Sequence, residues 1–153
     1  MIDGLSIKQL KIIPDERGSV MHMLRSDDPL FSQFGEIYFS FVNPGIIKAW
    51  KKHKKMTQHF AVPKGKIRLV VYDDRTKSES YKNIEIIDIG ENNYCLVKIP
   101  PLVWYGFKGI SPEPAIIANC TDIPHEPKEQ IKLDVHTNRI PYNWVGHVPS
   151  THN

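Results

Sequence analysis

The stretch GIIKAWKKHKKMTQHFAVPKG, residues 45–65, begins and ends on glycine and carries a run of lysine and histidine in its middle. It leads directly into IRLVVYDD, residues 67–74, whose alternating apolar residues predict a strand. Similar short apolar segments recur on both sides of it, separated by clusters of turn-forming residues. Many short strands at close spacing indicate an all-β sandwich or barrel.

Outside the central stretch, the apolar segments predict strands at residues 5–13, 20–24, 36–42, 66–72, 83–89, 94–99, 103–108 and 115–119. Residues 26–34 (SDDPLFSQF) combine a capping serine, early acids and apolar spacing, which predicts one or two helical turns. From residue 123 the chain is rich in proline and polar residues. We expect this part to form an extended C-terminal tail pinned by Tyr142 and Trp144.

The composition indicates one globular domain covering residues 1–153, because 41% hydrophobic residues suffice for a sizeable core. We expect a cytoplasmic protein without a membrane segment, since no apolar run approaches the length of a membrane helix and the N-terminal residues lack a signal-peptide layout. Cys95 and Cys120 lie in apolar stretches, which favours buried reduced thiols over a disulfide. The net charge of +3 is too small to indicate nucleic-acid binding by itself.

The spacing within the central stretch matches the first metal-binding motif of cupin barrels. The Gly, His, His, Glu and Gly of that motif fall on Gly45, Lys51, His53, Gln58 and Gly65. The second cupin motif supplies one more histidine, and its best match, IPPLVWYGF at residues 99–107, has Tyr105 in that place. We therefore expect a cupin barrel without a metal. A metal held by His22, His53 and His59 stays open as an alternative.

Several phrases together carry a family resemblance: DERG at 15–18, IKAW at 47–50, KGKI at 64–67 with DDR at 73–75, IPP at 99–101 with YGF at 105–107, and NCTD at 119–122. In this order and spacing the chain resembles the dTDP-4-dehydrorhamnose 3,5-epimerase family, the RmlC-like cupins. The resemblance implies a jelly-roll barrel that forms a homodimer. It also implies a protein acting without metal or cofactor on a nucleotide-linked 4-keto-6-deoxy sugar, in deoxysugar or surface-polysaccharide synthesis.

The chemistry of that family uses a histidine base, held by a carboxylate, on one face of the sugar and a tyrosine acid on the other. Matching the phrases residue by residue gives Lys51 for the base, Tyr105 for a second histidine, Ile123 for the acid tyrosine, His22 for a glutamate, Lys48 for an arginine, and Arg17 unchanged. The resemblance thus implies a divergent member without the usual catalytic histidine and tyrosine.

One interpretation is that a different acid/base pair has been installed. Strand alternation predicts that Ile47, Ala49, Lys51 and His53 face the barrel interior, with Tyr105 facing them from the opposite strand. A lysine buried there loses proton affinity and can act as a base, with Tyr105 or His53 as its partner. The alternative for Lys51 is that it extends its ammonium to water.

In a second interpretation, the chain binds a sugar nucleotide without converting it, or serves as a scaffold. In a third, the lysines of residues 48–55 bind nucleic acid together with Trp50. Nucleic acid is disfavoured because alternation splits these lysines between two faces. The predicted substrate-binding residues are Arg17, Lys48, His22, Gln58, His59 and Trp50. Arg17 would grip a phosphate or else pair with Asp15 or Glu16, and Trp50 would stack on a ring or else belong to the core.

Overall fold

The computed structural model describes residues 1–144. Within them the chain forms the strands β1 (Ser6–Gln9), β2 (Ile12–Asp15), β3 (Gly18–Met21), β4 (Glu36–Val42), β5 (Ile47–His53), β6 (Gln58–Lys64), β7 (Lys66–Tyr72), β8 (Ile84–Gly90), β9 (Cys95–Ile99), β10 (Trp104–Gly109), β11 (Ala115–Thr121) and β12 (Gln130–Lys132), with a 3₁₀ helix at Pro127–Glu129. The expectation of one domain over residues 1–153 stays a prediction, because residues 145–153 lie outside this range.

The strands form two antiparallel sheets that lie face to face. Sheet one has the order β1-β9-β6-β11-β4, and sheet two has the order β12-β5-β10-β7-β8. Among the described residues, β2 and β3 pair only with each other, as a separate hairpin. Because β4, β5, β6 and β7 alternate between the two sheets, the chain wraps around a common core. The predicted all-β jelly-roll barrel of the cupin kind is confirmed.

The core between the sheets follows from the period-two pattern of the strands. Phe60 and Val62 of β6 and Leu69 and Val71 of β7 are at most 3% exposed and belong to one apolar cluster. Each such side chain removed from water stabilises the fold by about 1.5–3 kcal/mol. These residues fill one part of the barrel and leave polar side chains to line the other.

A second apolar cluster covers the outer face of sheet two. Its buried members are Trp50, Val70, Tyr72, Trp104, Ile140 and Trp144. The ring centroids of Trp50 and Trp144 are 5.3 Å apart, and those of Trp50 and Tyr142 are 6.3 Å apart. The prediction that Tyr142 and Trp144 pin the tail is confirmed. The 3₁₀ helix at Pro127–Glu129 interrupts the extended tail, and β12 joins sheet two beside β5. The predicted tail residues 145–150 lie outside the described residues.

The prediction of helical turns at residues 26–34 is wrong, because this segment contains only turns and irregular structure. The Asp28 carboxylate accepts a hydrogen bond from the backbone N–H of Leu30, at 2.8 Å. An aspartate that satisfies a nearby N–H in this way competes with a helix. The predicted strand at residues 5–13 is likewise divided, because β1 pairs with β9 whereas β2 pairs with β3.

A bulge in β5 changes which residues face the interior. Lys51 lies opposite Tyr105 on β10 and Ala49 lies opposite Gly106, so Trp50 has no partner on that strand. The extra residue shifts the alternation by one position. Trp50 instead exchanges two backbone hydrogen bonds with Leu133, which immediately follows β12.

Because of the bulge, the residues of β5 that face inward differ in part from the prediction. Lys51 and His53, beyond the bulge, face the interior as predicted, since both line its cavities. Ile47 was predicted to do the same, but it packs against the second cluster on the outer face of sheet two. Ala49 borders both the cavity and that cluster. Lys48 lies opposite Phe107, a core residue, and therefore faces inward.

Candidate active site

The polar part of the barrel interior contains a cavity of about 350 Å³ between the two sheets. The residues of sheet one that line it include Tyr38, Ser40, Gln58, Phe60 and Asn119, and those of sheet two include Lys48, Lys51, Tyr105 and Phe107. A neighbouring cavity of about 260 Å³ is lined by Glu36, His53, His125 and Gln130. The two cavities share three lining residues, Tyr38, Lys51 and Tyr105. We call the two cavities the lobes of the site and these three residues its waist.

Lys51 borders both lobes. Burial of the ammonium against the cavity wall lowers the pKa of Lys51, and the positive charges of Lys132 and Lys48 lower it further. No hydrogen bond joins its ammonium to another residue within 1–144. The residue as a whole is exposed, so Lys51 reaches solvent as well as the cavity.

The lysine run of residues 48–55 divides between different surfaces. Lys48 lines the cavity, donates to the carbonyl of Phe41 at 2.6 Å, and is joined at the rim by Lys132 of β12. Lys52 points to the outer face, where it pairs with Asp74 and lies 4.8 Å from the centre of the Trp104 ring. The lysines that line the cavity make its entrance basic, whereas the run as a whole presents no single basic face.

His53 makes a buried contact with Glu129 beside the waist. Its Nδ1 contacts Oε1 of Glu129, a residue of the 3₁₀ helix, and both side chains are less than 10% exposed. The other carboxylate oxygen of Glu129 accepts from the backbone N–H groups of Lys55 and Met56, at 2.9 and 3.0 Å. Burial by itself raises the pKa of Glu129, but the donors from Lys55, His53 and Met56 outweigh it and hold the pKa below its usual value.

Tyr105 connects this pair to the cavity. Its hydroxyl lies 3.3 Å from Nε2 of His53, and the two rings stack with centroids 5.9 Å apart. The side chain of Gln58 approaches from sheet one and works in the opposite direction to burial, lowering the pKa of Tyr105. Burial raises the pKa of Tyr105 far above its usual value, with the nearby Tyr38 and Glu129 adding to the shift. Tyr105 therefore stays protonated and can donate a hydrogen bond into the cavity.

Tyr105 faces the barrel interior from β10, the strand opposite β5, which agrees with its predicted placement. Lys51 and Tyr105 are direct partners on neighbouring strands of sheet two, so their side chains leave the sheet side by side. The residue that lies across the cavity from them is Tyr38 of sheet one.

Asn119 fixes the position of Tyr38. The amide Nδ2 of Asn119 donates to the Tyr38 hydroxyl at 2.9 Å and to Oε1 of Gln58 at 3.0 Å. Hydrogen bonds therefore join Tyr38, Asn119 and Gln58 in sheet one. Gln58 lies beside Tyr105, whose hydroxyl contacts His53 and through it Glu129. The Oδ1 atom of Asn119 is buried without a hydrogen-bond partner within residues 1–144.

Two predicted substrate-binding residues do not line the cavity of this chain. Arg17 lies at the turn between β2 and β3, where its guanidinium pairs with Asp15 at 2.7 Å in an exposed position. Arg17 lowers the pKa of Asp15 through this hydrogen bond. His22 follows β3 and borders a separate surface cleft together with Lys8, Lys11 and Arg25.

Two more of them are buried for structural reasons. His59 points to the outer side of sheet one, where its ring nitrogens lie 2.9 Å from the carbonyl of Cys120 and 3.1 Å from that of Leu30. Trp50 borders the cavity, but it is only 1% exposed and its ring packs on Trp144. Of the predicted substrate-binding residues, Gln58 and Lys48 are the ones that line the cavity with polar groups.

The three histidines of the alternative metal site lie in different places, because His53 faces the cavity while His22 and His59 face other surfaces. Nowhere in residues 1–144 do three or more His, Cys, Asp or Glu side chains form a group that could hold a metal ion.

Cys95 and Cys120 are free and buried, as predicted. Within residues 1–144, no helix has the length and apolar character needed to cross a membrane.

Sequence reasoning missed several residues of the site. Glu129 is 76 positions from His53, and its segment carries no motif that reveals the contact. Tyr38 and Asn119 come from strands in which nearly every residue is apolar or aromatic, so the pattern did not separate inner from outer side chains. Lys132 was hidden in the segment predicted as a tail. The one available signal was Asn119, a lone amide in the predicted strand AIIAN.

The fold and site define a jelly-roll barrel with an internal polar cavity, and comparisons with known proteins identify its family. A family model described as dTDP-4-dehydrorhamnose 3,5-epimerase matches residues 1–152. A solved structure of a dTDP sugar isomerase from Desulfovibrio desulfuricans G20 has a TM-score of 0.95 and 49% identity to this chain, covering 97% of this chain and 96% of that one. The chain belongs to the dTDP-4-dehydrorhamnose 3,5-epimerase family.

Two curated relatives agree with this assignment. The first is Agl13 of Haloferax volcanii, described as a probable low-salt glycan biosynthesis epimerase, with 33% identity over 149 residues, covering 93% of this chain and 89% of Agl13. The second is SpsL of Bacillus subtilis strain 168, a spore coat polysaccharide biosynthesis protein, with 32% identity over 148 residues, covering 94% and 97%. The prediction of a sugar-nucleotide epimerase-like or isomerase-like protein is confirmed at the level of the family.

The Glu129 contacts predict a pH-dependent contribution to stability. The pKa of Glu129 is lower in the folded state, so its ionised form stabilises the fold above the usual value of 4.5, and this stabilisation is lost as pH falls through the lowered pKa. We expect Glu129→Gln to reduce the free energy of unfolding at pH 7 by about 2 kcal/mol, the scale of hydrogen bonds to a charged group. Urea denaturation from pH 7 to pH 3 measures it.

The matched control is Glu91→Gln, on the exposed turn between β8 and β9, which should change stability little at any pH. A constant difference between wild type and Glu129→Gln over the whole pH range would contradict this account of the carboxylate.

Proposed function

We propose that this protein is an epimerase or isomerase that acts on a dTDP-linked 4-keto-6-deoxyhexose, with Lys51 as the base. The observation that carries the proposal is the waist of the cavity, where Lys51, with its lowered pKa and no hydrogen bond to another described residue, lies directly beside the hydroxyl-bearing Tyr105. The similarity to a dTDP sugar isomerase and to a probable glycan biosynthesis epimerase supports the substrate class.

Lys51 suits the removal of a proton from the carbon next to a keto group. Only a neutral amine can accept that proton, and both burial and the neighbouring lysines favour the neutral form. The electron pair of the broken C–H bond passes to the keto oxygen and makes an enolate. Lys51 thereby takes the task that a histidine performs at the corresponding position of the family pattern.

Tyr105 suits the stabilisation of that enolate. Its raised pKa keeps the hydroxyl protonated, so it donates a hydrogen bond to the developing oxygen anion. His53 and Glu129 hold the phenol ring from behind, and Gln58 holds it from the opposite sheet. A donor held in this way does not reorient as the charge forms, which is the source of its effect on the barrier.

The basic rim suits the pyrophosphate of a sugar nucleotide. Lys48 and Lys132 line the cavity beside Lys51, and ammonium groups pair favourably with phosphate oxygens. Lysines that converge on a cavity favour a small phosphate ligand over nucleic acid, which needs an extended basic surface. The names of Agl13 and SpsL support a role in the synthesis of a surface polysaccharide.

Hydrogen exchange tests the role of Lys51. In heavy water, proton NMR of the dTDP-4-keto-6-deoxyhexose should show loss of the signal from a proton next to the keto group. Lys51→Arg keeps the positive charge but never becomes neutral at these pH values, so we expect at least about a 100-fold slower exchange. For the wild type, the exchange rate should rise with pH from neutrality up to the lowered pKa of Lys51, because the ammonium form is inactive.

The control is Lys54→Ala, an exposed lysine outside the cavity, which should exchange like wild type. Exchange by Lys51→Arg at the wild-type rate would sink the assignment of the base. Binding of the sugar nucleotide without any exchange by the wild type would replace the proposal with that of a binding protein or scaffold.

We further propose a homodimer formed through sheet one. β4 is an edge strand whose outward side chains Ile37, Phe39 and Phe41 are 50–63% exposed, and contiguous exposed apolar surface of this kind marks interaction sites. Sedimentation should show a dimer for the wild type and a monomer for the double variant Phe39→Glu and Phe41→Glu. A monomeric wild type at micromolar concentration would contradict the proposed dimer.

We also propose a cytoplasmic location. The free thiols of Cys95 and Cys120 support this location.

A further inference from the structure

The waist of the cavity has two chemically different sides. Sheet two contributes Lys51 and Tyr105, and sheet one contributes Tyr38. These three residues are shared by the two lobes, so a sugar ring that extends from one lobe into the other passes between them. Such a ring has one face toward Lys51 and Tyr105 and the opposite face toward Tyr38.

Inversion of a carbon centre requires a proton donor on the face opposite the base. Tyr105 does not meet this requirement, because it is the direct strand partner of Lys51 and leaves the sheet on the same side. His53 lies behind Tyr105 and is likewise on sheet two. Ile123, at the position of the family's acid tyrosine, has no proton to give.

Tyr38 has the contacts of a proton donor. Asn119 donates to the phenol oxygen at 2.9 Å, so the phenolic hydrogen is not used in that bond, and no described residue accepts it. A hydrogen bond donated to the oxygen also stabilises the phenolate that remains after the proton leaves. The Tyr38 proton is thus available to a ligand in the cavity.

The protonation state agrees with this geometry. Burial raises the pKa of Tyr38, and the Asn119 hydrogen bond offsets only part of that shift. The phenol is therefore protonated at neutral pH. Between Tyr38 and Tyr105 stand the amides of Asn119 and Gln58, which hold the two phenols in place without passing protons between them.

We infer that Tyr38 is a catalytic residue that protonates the enolate on the face opposite Lys51, so that the enzyme inverts the carbon next to the keto group. This inference rests on the proposed function. Lys51 takes the proton, the C–H electron pair becomes the enolate, and the enolate forms a new C–H bond with the Tyr38 proton as the keto group is restored. Lys51 is left as ammonium and Tyr38 as phenolate, and proton exchange with water returns both to their starting states.

The test separates exchange from inversion in Tyr38→Phe. Incubation with the dTDP-4-keto-6-deoxyhexose in heavy water is followed by NMR for deuterium uptake and for the epimeric product. We expect formation of the epimer to fall at least about 100-fold, while uptake with retained configuration, driven by Lys51 alone, falls less than about 5-fold. Tyr81→Phe, on an exposed loop, is the matched control and should behave as wild type.

A second variant guards against a misfolded Tyr38→Phe. A fluorotyrosine placed at position 38 keeps the hydrogen bond from Asn119 but lowers the pKa of the phenol, so the pH at which epimer formation declines should move downward. Three results would each overturn the role of Tyr38. They are undiminished epimer formation by Tyr38→Phe, an unmoved pH profile for the fluorotyrosine variant, and a wild-type product with retained configuration. A wild type that takes up no deuterium at all would instead overturn the proposed function.

Discussion

The bulge at Trp50 is the constraint on which the rest of the site depends. Strict alternation cannot place residues 48 and 51 on the same face of a strand. The extra residue at position 50 makes this possible. Lys48 faces inward before the bulge, and Lys51 and His53 face inward after it. Trp50 is held by Trp144 and by the backbone hydrogen bonds with Leu133. The C-terminal segment therefore helps to set the orientation of residues more than 80 positions earlier in the chain.

The cavity keeps its shape because its polar side chains are bonded to one another. Burial of polar groups is costly unless each has a partner, and the chain of contacts from Tyr38 to Glu129 satisfies most of them. The same contacts orient two phenols toward a common space from different sheets. Among residues 1–144, the Oδ1 atom of Asn119 is a buried acceptor of this group that no donor reaches.

The sequence predicted those features that depend on local pattern. The strand at residues 66–72 follows from alternation, and the strand at residues 36–42 follows from its aromatic and β-branched residues. Gly45 and Gly65 adopt the positive φ angles expected for turns. The family resemblance carried the barrel and the substrate class. The error at residues 26–34 came from composition, since a capping pattern resembles the turn that Asp28 forms with Leu30.

Features that depend on contacts between distant residues could not be predicted from pattern. The bulge at Trp50 requires knowledge of the register with β10, and the pairing of His53 with Glu129 joins β5 to a late 3₁₀ helix. In the strand EIYFSFV both faces carry aromatic residues, so alternation alone does not decide whether Tyr38 or Phe39 faces inward. The facing sheet decides it.

The most direct measurement is a crystal structure of the protein with a dTDP-linked 6-deoxyhexose. The account predicts the hexose at the waist of the cavity, with one face toward the Nζ atom of Lys51 and the other toward the hydroxyl of Tyr38, and the pyrophosphate beside Lys48 and Lys132. A hexose outside the cavity, or a nucleotide bound on another surface of the barrel, would contradict it.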